Sequence, residues 1–349
     1  MGEMVKRPTI KDIARSVGVS AATVSRVLDH DPRISSETSR RVLQKASELN
    51  YRPNIMARAL VKRGSSLIGL LLRHIQGSFF SDIIAGVQEV VEREGYSIIL
   101  CNSDMNAVTE RDHLRVLLDK QVEGIIITPI TTEGVNRNAY NHIGHANVPL
   151  VMLGNPKEGA NHPYVKVDNM LGGYLAGKHL IGLGHSLIAY ISPRQDELIS
   201  HKRTLHSENI ERYLGLGQAM REHGHAERLT VIEAPNEDVT ETIVARLMSL
   251  NPRPTALFAY GDMMAFKIMR LLEDKGCRVP EDFSIIGYDD LDISCLVNPP
   301  LSTISQPKKD LGKIAARKLL GMMKGLPTTA TVLKPLLIPR NSTAPHRGA

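Results

Sequence analysis

The sequence predicts a small all-α head joined to a two-lobed α/β core with doubly wound parallel sheets. Three observations predict it. The first is a helical hairpin at residues 9–28, TIKDIARSVGVSAATVSRVL. The second is lopsided charge. Of 43 Lys and Arg, 13 fall in residues 1–63, against 6 of the 37 Asp and Glu, which leaves 30 against 31 in the rest of the chain. The third begins at Ser66, where short apolar runs alternate with amphipathic ones. That is the pattern of parallel strands covered by helices on both faces.

Residues 1–8 read as a loose tail. In the hairpin, Ile10, Ile13, Ala14 and Val17 fall at i, i+3, i+4 and i+7, the buried face of one helix. Thr9 stands at its N-cap, with Asp12 at the spacing of a capping box. Gly18 supplies the turn. Ser20 caps a second helix that sends Val24, Val27 and Leu28 inward and Ala21, Ala22, Ser25 and Arg26 outward. A short helix with small and polar outer residues suits the DNA major groove; the alternative is an ordinary packed helix pair. A third helix, from about Ser36 to Leu49, completes the core with Val42, Ala46 and Leu49. The confinement of excess positive charge to this head is the electrostatic footprint of nucleic-acid binding.

Pro53 fixes another helix start, and residues 54–61 form a segment too short and too basic to be stable alone. It reads as a flexible linker or as a helix that orders only on a partner. The core follows with strands expected at 66–72, 96–103, 122–129 and 148–155, and helices at 78–95, 109–121 and near 133–145. A second series from Val165 has helices at 169–182, 207–224, 238–250 and 262–276, with strands at 186–192, 229–234, 255–260 and 283–290. The chain closes with PPLSTISQP (299–307), a helix over 308–324 and PLLIPRNSTAP (335–345). Ligands of such folds bind outside the carboxyl ends of the strands.

A length of 349 residues suits two or three compact units, and 42% hydrophobic with 23% charged residues is a globular composition. No apolar run is long enough to span a membrane, and no apolar stretch follows the basic N-terminus, so a cytoplasmic protein without membrane contact is expected. The three cysteines, Cys101, Cys277 and Cys295, are far apart and read as reduced core residues. Catalytic signals are poor. GLGHSL (182–187) and GLGQAM (215–220) lack a third glycine, and no nucleophile elbow or phosphate loop occurs. His142 with His145, and His223 with His225, lack further ligands at a metal-site spacing. No enzyme, cofactor or metal is expected.

The 9–28 hairpin, YRPN at 51–54, ARAL at 57–60 and the later landmarks together resemble the lactose/galactose repressor (LacI/GalR) family of bacterial regulators, over nearly the full length. The resemblance implies a helix-turn-helix head at 1–52, a hinge helix and linker at 53–65, and a periplasmic-binding-protein-like effector and dimerisation core at 66–345. It divides that core into a first lobe of about 66–163 plus 293–325 and a second of about 164–292 plus 326–345. Expected DNA contacts in the hairpin are Ile10, Lys11, Ser20, Ala21, Ala22, Thr23, Ser25 and Arg26. Beyond it they are Arg33, Ser35, Thr38, Tyr51, Asn54 and Ala57. Leu60 is expected to wedge into the minor groove. In the core, Arg212 before Gly215 looks like the family's effector-binding arginine, and Asp289 in GYDD like its acidic residue at a strand end. Phe79 and Phe80 match aromatic positions at the cleft mouth, with core packing as the alternative, and Arg73 ends the first strand.

The resemblance therefore implies a ligand-responsive, DNA-binding regulator, most simply a repressor of a carbohydrate or sugar-acid operon. Its partners are a double-stranded operator, a small effector and a second copy. No heptad follows Thr343, so a homodimer without a coiled-coil tether is expected. A sugar-binding transport component and an α/β enzyme are the disfavoured alternatives. The chain departs from the family at Arg73–Ser78, where a polar loop is usual, at Gly154, where an acid is frequent, and at Gly261, where Asn is frequent. The stretch 194–211 is also long. With Arg73, His74, His201, Lys202, Arg203 and His206 near the cleft, these departures lead to the expectation of an anionic effector, a sugar acid or sugar phosphate. The competing reading pairs Arg73 with a neighbouring acid.

Overall fold

The structure, a computed structural model, describes residues 8–28, 31–51, 64–75, 78–130, 140, 143–144, 146–156, 162–192, 208–233 and 241–346. It divides into two compact units, Met1–Ser65 and Ser66–Ala349.

In the first unit, α1 (Ile10–Val17), α2 (Ala21–Leu28) and α3 (Ser36–Glu48) enclose Ile13, Val24 and Val42, all three without exposed surface. The acid half of the capping box forms: the Thr9 N–H and hydroxyl both donate to the Asp12 carboxylate, at 2.8 and 2.7 Å. Gly18 takes φ 72° and donates its N–H to the Ala14 carbonyl at 3.0 Å, which ends α1 in the left-handed conformation glycine favours. Arg41 donates to the Val17 carbonyl at 2.8 Å and ties α3 to that end.

The second unit holds two six-stranded sheets. The first comprises β1 (Leu67–Leu72), β2 (Ser97–Asn102), β3 (Gly124–Ile127), β4 (Leu150–Leu153), β5 (Tyr164–Val167) and β11 (Thr331–Leu333). Their order is β11-β5-β4-β3-β1-β2, and every pair is parallel. The second comprises β6 (Ile188–Ser192), β7 (Leu229–Glu233), β8 (Ala256–Ala259), β9 (Ser284–Asp289), β10 (Ser302–Ser305) and β12 (Leu336–Ile338). Its order is β12-β10-β9-β8-β6-β7, parallel except at the β10–β12 edge.

Both faces of the first sheet are covered, which is why β1 reads as unbroken apolar text. Ile68, Leu70 and Leu72 pack against α4 (Ser78–Arg93) and α10 (Lys308–Met323), while Leu71 turns to the opposite face with α5 (Ala107–Asp119). In the second sheet Tyr190, Phe258 and Tyr288 pack beneath α6 (Asn169–Gly182) and α7 (Glu208–Glu222). Leu257 and Ile285 face α8 (Glu241–Ser249) and α9 (Asp262–Asp274). A β-carbon on Gly173 would run into the Arg212 carbonyl, and one on Gly215 into the Met170 carbonyl, so α6 and α7 touch backbone to backbone.

The sheets divide the core differently from the expected lobe bounds at three strands. Residues 164–167 and 331–333, expected in the second lobe, pair in the first sheet; residues 302–305, expected in the first, pair with β9 in the second. The reason is where the chain crosses. It passes between sheets after β5, after β10 and between β11 and β12, so each crossing falls at a strand's carboxyl end. Most of the expected helix near 133–145 lies outside the described residues; Tyr140 and 143–144 are helical. No helix among the described residues is long and apolar enough to cross a membrane. In each sheet the chain order reverses beside the first strand, at β1/β3 and at β6/β8, and it is at such switch points that open α/β sheets bind their ligands.

Candidate DNA-binding face and effector cleft

On the head, α2 presents Ala22 and Arg26 to solvent, with Ala21, Thr23 and Ser25 half-buried at its flanks. Ser20 accepts from the Thr23 N–H at 3.0 Å and shares a hydrogen bond with the Thr23 hydroxyl at 2.9 Å, so both hydroxyls serve the helix start. Ser35 and Thr38 repeat the arrangement at the start of α3, at 3.3 and 2.9 Å. Lys11 is exposed on α1. Ile10 and Tyr51, both expected at DNA, pack partly buried against the head's own core. Arg33 is occupied by a forked ion pair to Asp31, 2.7 Å at its shortest, and this holds the Asp31 carboxyl down to about 2. Asn54, Ala57 and Leu60 lie outside the described residues. Exposure thus concentrates the polar reach of α2 on Arg26.

In the core, three of the five expected effector residues converge. Arg73 follows β1, Arg212 lies on the first turns of α7, and Asp289 ends β9. Arg212 is 5% exposed and held from several sides. Its Nε donates to Asn169 Oδ1 at 2.9 Å, and one terminal nitrogen donates to the Tyr260 carbonyl at 2.6 Å. The guanidinium stacks on the Tyr288 ring at 3.6 Å and the Tyr260 ring at 4.6 Å. Its other terminal nitrogen stands 3.9 Å from Asp289 Oδ1, an ion pair too long to be a hydrogen bond. Asp289 Oδ1 accepts from Gln306 Nε2 at 2.6 Å. Burial pushes the Asp289 carboxyl up, and Arg212 and Gln306 oppose that rise. Arginine forks and carboxylates side by side are suited to hydroxyls, which donate and accept at once.

Arg73 does not stand free. Its guanidinium meets the Glu208 carboxylate at 3.1 and 3.5 Å. Burial is the largest single influence and would raise the Glu208 carboxyl, yet the charges of Arg73 and Arg212 and the hydrogen bonds to the carboxylate together outweigh it and hold that acid below its ordinary range. Lys166, on β5, is matched in the same way by Glu211 at 2.7 Å and also donates to Asn155 at 3.0 Å. Two acids on the first turn of α7 therefore face two cations of the first lobe.

This changes the reading of the two cleft glycines. A β-carbon on Gly154 would stand 3.0 Å from Glu208 Oε1, at a backbone φ of 85°. One on Gly261 would stand 3.2 Å from Asp289 Oδ2. The space expected to be vacant and stripped of negative charge is filled by carboxylates from other elements. His74 turns away to Asp104 at 3.5 Å, with both side chains well exposed. His201, Lys202, Arg203 and His206 lie outside the described residues. Phe80, expected at the cleft mouth, is buried in the first-lobe core, because α4 turns that position toward the sheet. Phe79 stays half-buried, edge-on to it at 5.0 Å.

Sequence reasoning missed Glu208, Glu211, Lys166, Asn169, Gln306 and Lys308. One signal was available: Glu208 precedes Arg212 by four residues, which places both on one helix face. The acid Asp262 was also missed. It has no exposed surface and accepts from the Leu291 N–H, Ser294 and Thr303 at 2.9, 2.7 and 2.6 Å. Burial pushes its carboxyl up to about 7. His223 bonds the Ala219 carbonyl, and no group of metal-ligating side chains gathers among the described residues.

Residues 9–54 match the family model described as bacterial regulatory proteins, lacI family, and residues 178–343 match the periplasmic binding protein-like domain. The chain is 36% identical over 318 residues to the HTH-type transcriptional repressor PurR of Vibrio atlanticus, covering 90% of this chain and 92% of that protein. A lac repressor dimer bound to operator and the anti-inducer ONPF has TM-score 0.81 at 27% identity, covering 97% of this chain and 100% of that one. A LacI family regulator of Enterococcus faecium with bound ribose has TM-score 0.70 at 30% identity, over 80% of this chain and 100% of that one.

Proposed function

This chain belongs to the LacI family of bacterial regulatory proteins and is a DNA-binding transcriptional regulator, not an enzyme; we propose that it represses a carbohydrate-utilisation operon in answer to a neutral, polyhydroxylated effector. The observation that carries the effector class is the pairing of charges in the cleft. Arg73 is met by Glu208, Lys166 by Glu211 and Arg212 by Asp289. An anionic ligand would have to displace a carboxylate from each cation it used, whereas hydroxyls insert between donor and acceptor without leaving a buried charge unpaired. The relative with bound ribose supports the same reading.

On DNA, two heads of a homodimer read a near-palindromic operator in the cytoplasm, since one head offers few base contacts. Arg26 supplies the polar contact of α2 and the methyls of Ala21 and Ala22 pack on thymine. Residues 54–60 add the minor-groove contact, with Leu60 as its wedge.

The test is calorimetric titration with neutral sugars, sugar acids, sugar phosphates and nucleobases, followed by mobility shift on the DNA upstream of the chain's own locus with and without the binder. Tight binding of a neutral sugar that alters the shift supports the reading. Tight binding of a sugar acid or phosphate, with neutral sugars inert, overturns the effector class.

A further inference from the structure

Asp289 and Asp290 hold backbone conformations that side chains rarely adopt, with φ of 112° and 49°. Such a turn is strained and persists only where its surroundings over-determine it. Several groups do so here. Gln306 donates to the Asp289 carboxylate at 2.6 Å, Arg340 to that of Asp290 at 2.7 Å, and the Asp290 N–H donates to Thr303 at 3.3 Å. The remaining contact is of another kind. The Lys308 ammonium donates to the carbonyl of Asp289 at 3.0 Å and to that of Asp290 at 2.6 Å.

Lys308 is 7% exposed, and burying an ammonium is costly unless its donors are used. Its carboxylate neighbour, Asp82 on α4, stands 3.7 Å away and is 45% exposed, so solvent screens that pair. The two carbonyls are therefore the partners that justify the burial. Lys308 also opens α10, the helix that packs against α4 and the first sheet, while the carbonyls it holds end a strand of the second.

We propose that Lys308 is a positioning residue for the effector carboxylate. By holding both carbonyls it fixes the left-handed turn that aims Asp289 at Arg212, and through α10 it links that aim to the first lobe. The role of Asp289 rests on the effector reading above. The turn itself does not, so the decisive measurement needs no bound effector.

The experiment compares the full chain with Lys308→Met, Lys308→Arg and Asp82→Asn. Amide hydrogen exchange is followed by mass spectrometry, with crystal structures of the variants. Lys308→Met should raise exchange at 289–296 at least tenfold and move the Asp289 carboxylate away from Arg212, with exchange in α9 and β10 unchanged. Lys308→Arg, which keeps two donors, should restore the turn, and Asp82→Asn should leave it intact. An unchanged turn in Lys308→Met overturns the proposal. So does a rise spread over the whole second lobe, which marks a merely structural lysine, and so does equal loosening in Met and Arg. If Lys308→Met does not fold, Lys308→Gln carries the same comparison. A failed sugar panel would overturn the effector reading without touching this outcome.

Discussion

Replacing Glu208 by Gln keeps the shape of the side chain and removes the charge that holds Arg73. The pair is 3.1 Å at its shortest, with side chains 23% and 14% exposed. At an effective dielectric near 20 the bare attraction is roughly 5 kcal/mol, of which desolvation consumes the larger part. Exposed pairs net about 0–1 kcal/mol, and breaking a fully buried one costs about 3–5. A pair this shielded falls between, so Glu208→Gln should destabilise by about 2 kcal/mol and lower the melting midpoint by roughly 4 °C. In a double-mutant cycle with Arg73→Met, the double variant should lose about 1–2 kcal/mol less than the sum of the singles. The pH dependence has a definite sign. The folded Glu208 carboxyl lies below its ordinary value, so its stabilisation is complete above the unfolded pKa of about 4.3 and is lost as pH falls through the folded one. The gap between wild type and Glu208→Gln should therefore narrow as pH falls below the unfolded value of about 4.3. Released from its acid, Arg73 should also gain affinity for sugar acids and phosphates in calorimetry while neutral sugars bind more weakly. Additive single variants, or a gap independent of acid pH, would refute the cross-cleft pair; an unchanged preference among ligands would remove it from effector selection.

Arg26→Ala should weaken operator binding by about 1–3 kcal/mol and relax discrimination at one base pair; equal loss on all sequences in a mobility-shift competition would make Arg26 a phosphate contact. Gly173→Ala should destabilise the core by about 2 kcal/mol or more and weaken sugar binding with it, because the added methyl meets the Arg212 carbonyl; a melting midpoint within 1 °C or so of wild type would show that α6 and α7 can part freely. Asp262, raised by burial to about 7, binds its proton more tightly folded than unfolded, so its contribution is fully present below about pH 4 and is lost as pH rises through 7. Asp262→Asn should flatten that decline, which amounts to about 3–4 kcal/mol at most, in urea midpoints taken from pH 5 to 8.

The fold was legible because its signals are local. The 3.6-residue spacing of Ile10, Ile13, Ala14 and Val17, and the unbroken apolar text of 67–72, are each produced by one element burying its own face. The lobe bounds were legible only in part. Tyr164–Val167 and Thr331–Leu333 are short, and their membership in the first sheet is decided by pairing across a crossing that leaves no mark in composition. Phe80 shows the same limit at a side chain. Two adjacent phenylalanines at a helix start look alike in sequence, and the helical angle between them turns Phe80 into the core while Phe79 keeps some exposure.

The cleft chemistry was legible as residue types and not as partners, and the difference is what separates the expected anionic effector from the neutral one proposed above. Read one position at a time, Gly154 and Gly261 subtract negative charge and Arg73 adds positive charge, which points to an anion. In space, Gly154 is the absence of a side chain that lets Glu208 approach Arg73, and Gly261 likewise leaves room for Asp289. A glycine in such a place marks the arrival of another group as readily as an opening. Glu208 lies 135 residues from Arg73 in the chain, so no local pattern could have joined them. The i, i+4 relation of Glu208 to Arg212 carries the connection, because whatever positions Arg212 toward Asp289 also positions Glu208 toward the first lobe. Helix α7 thus brings one donor and two acceptors to the cleft in a single rigid step. A ligand whose groups both give and accept hydrogen bonds answers that set without leaving a charge unmatched.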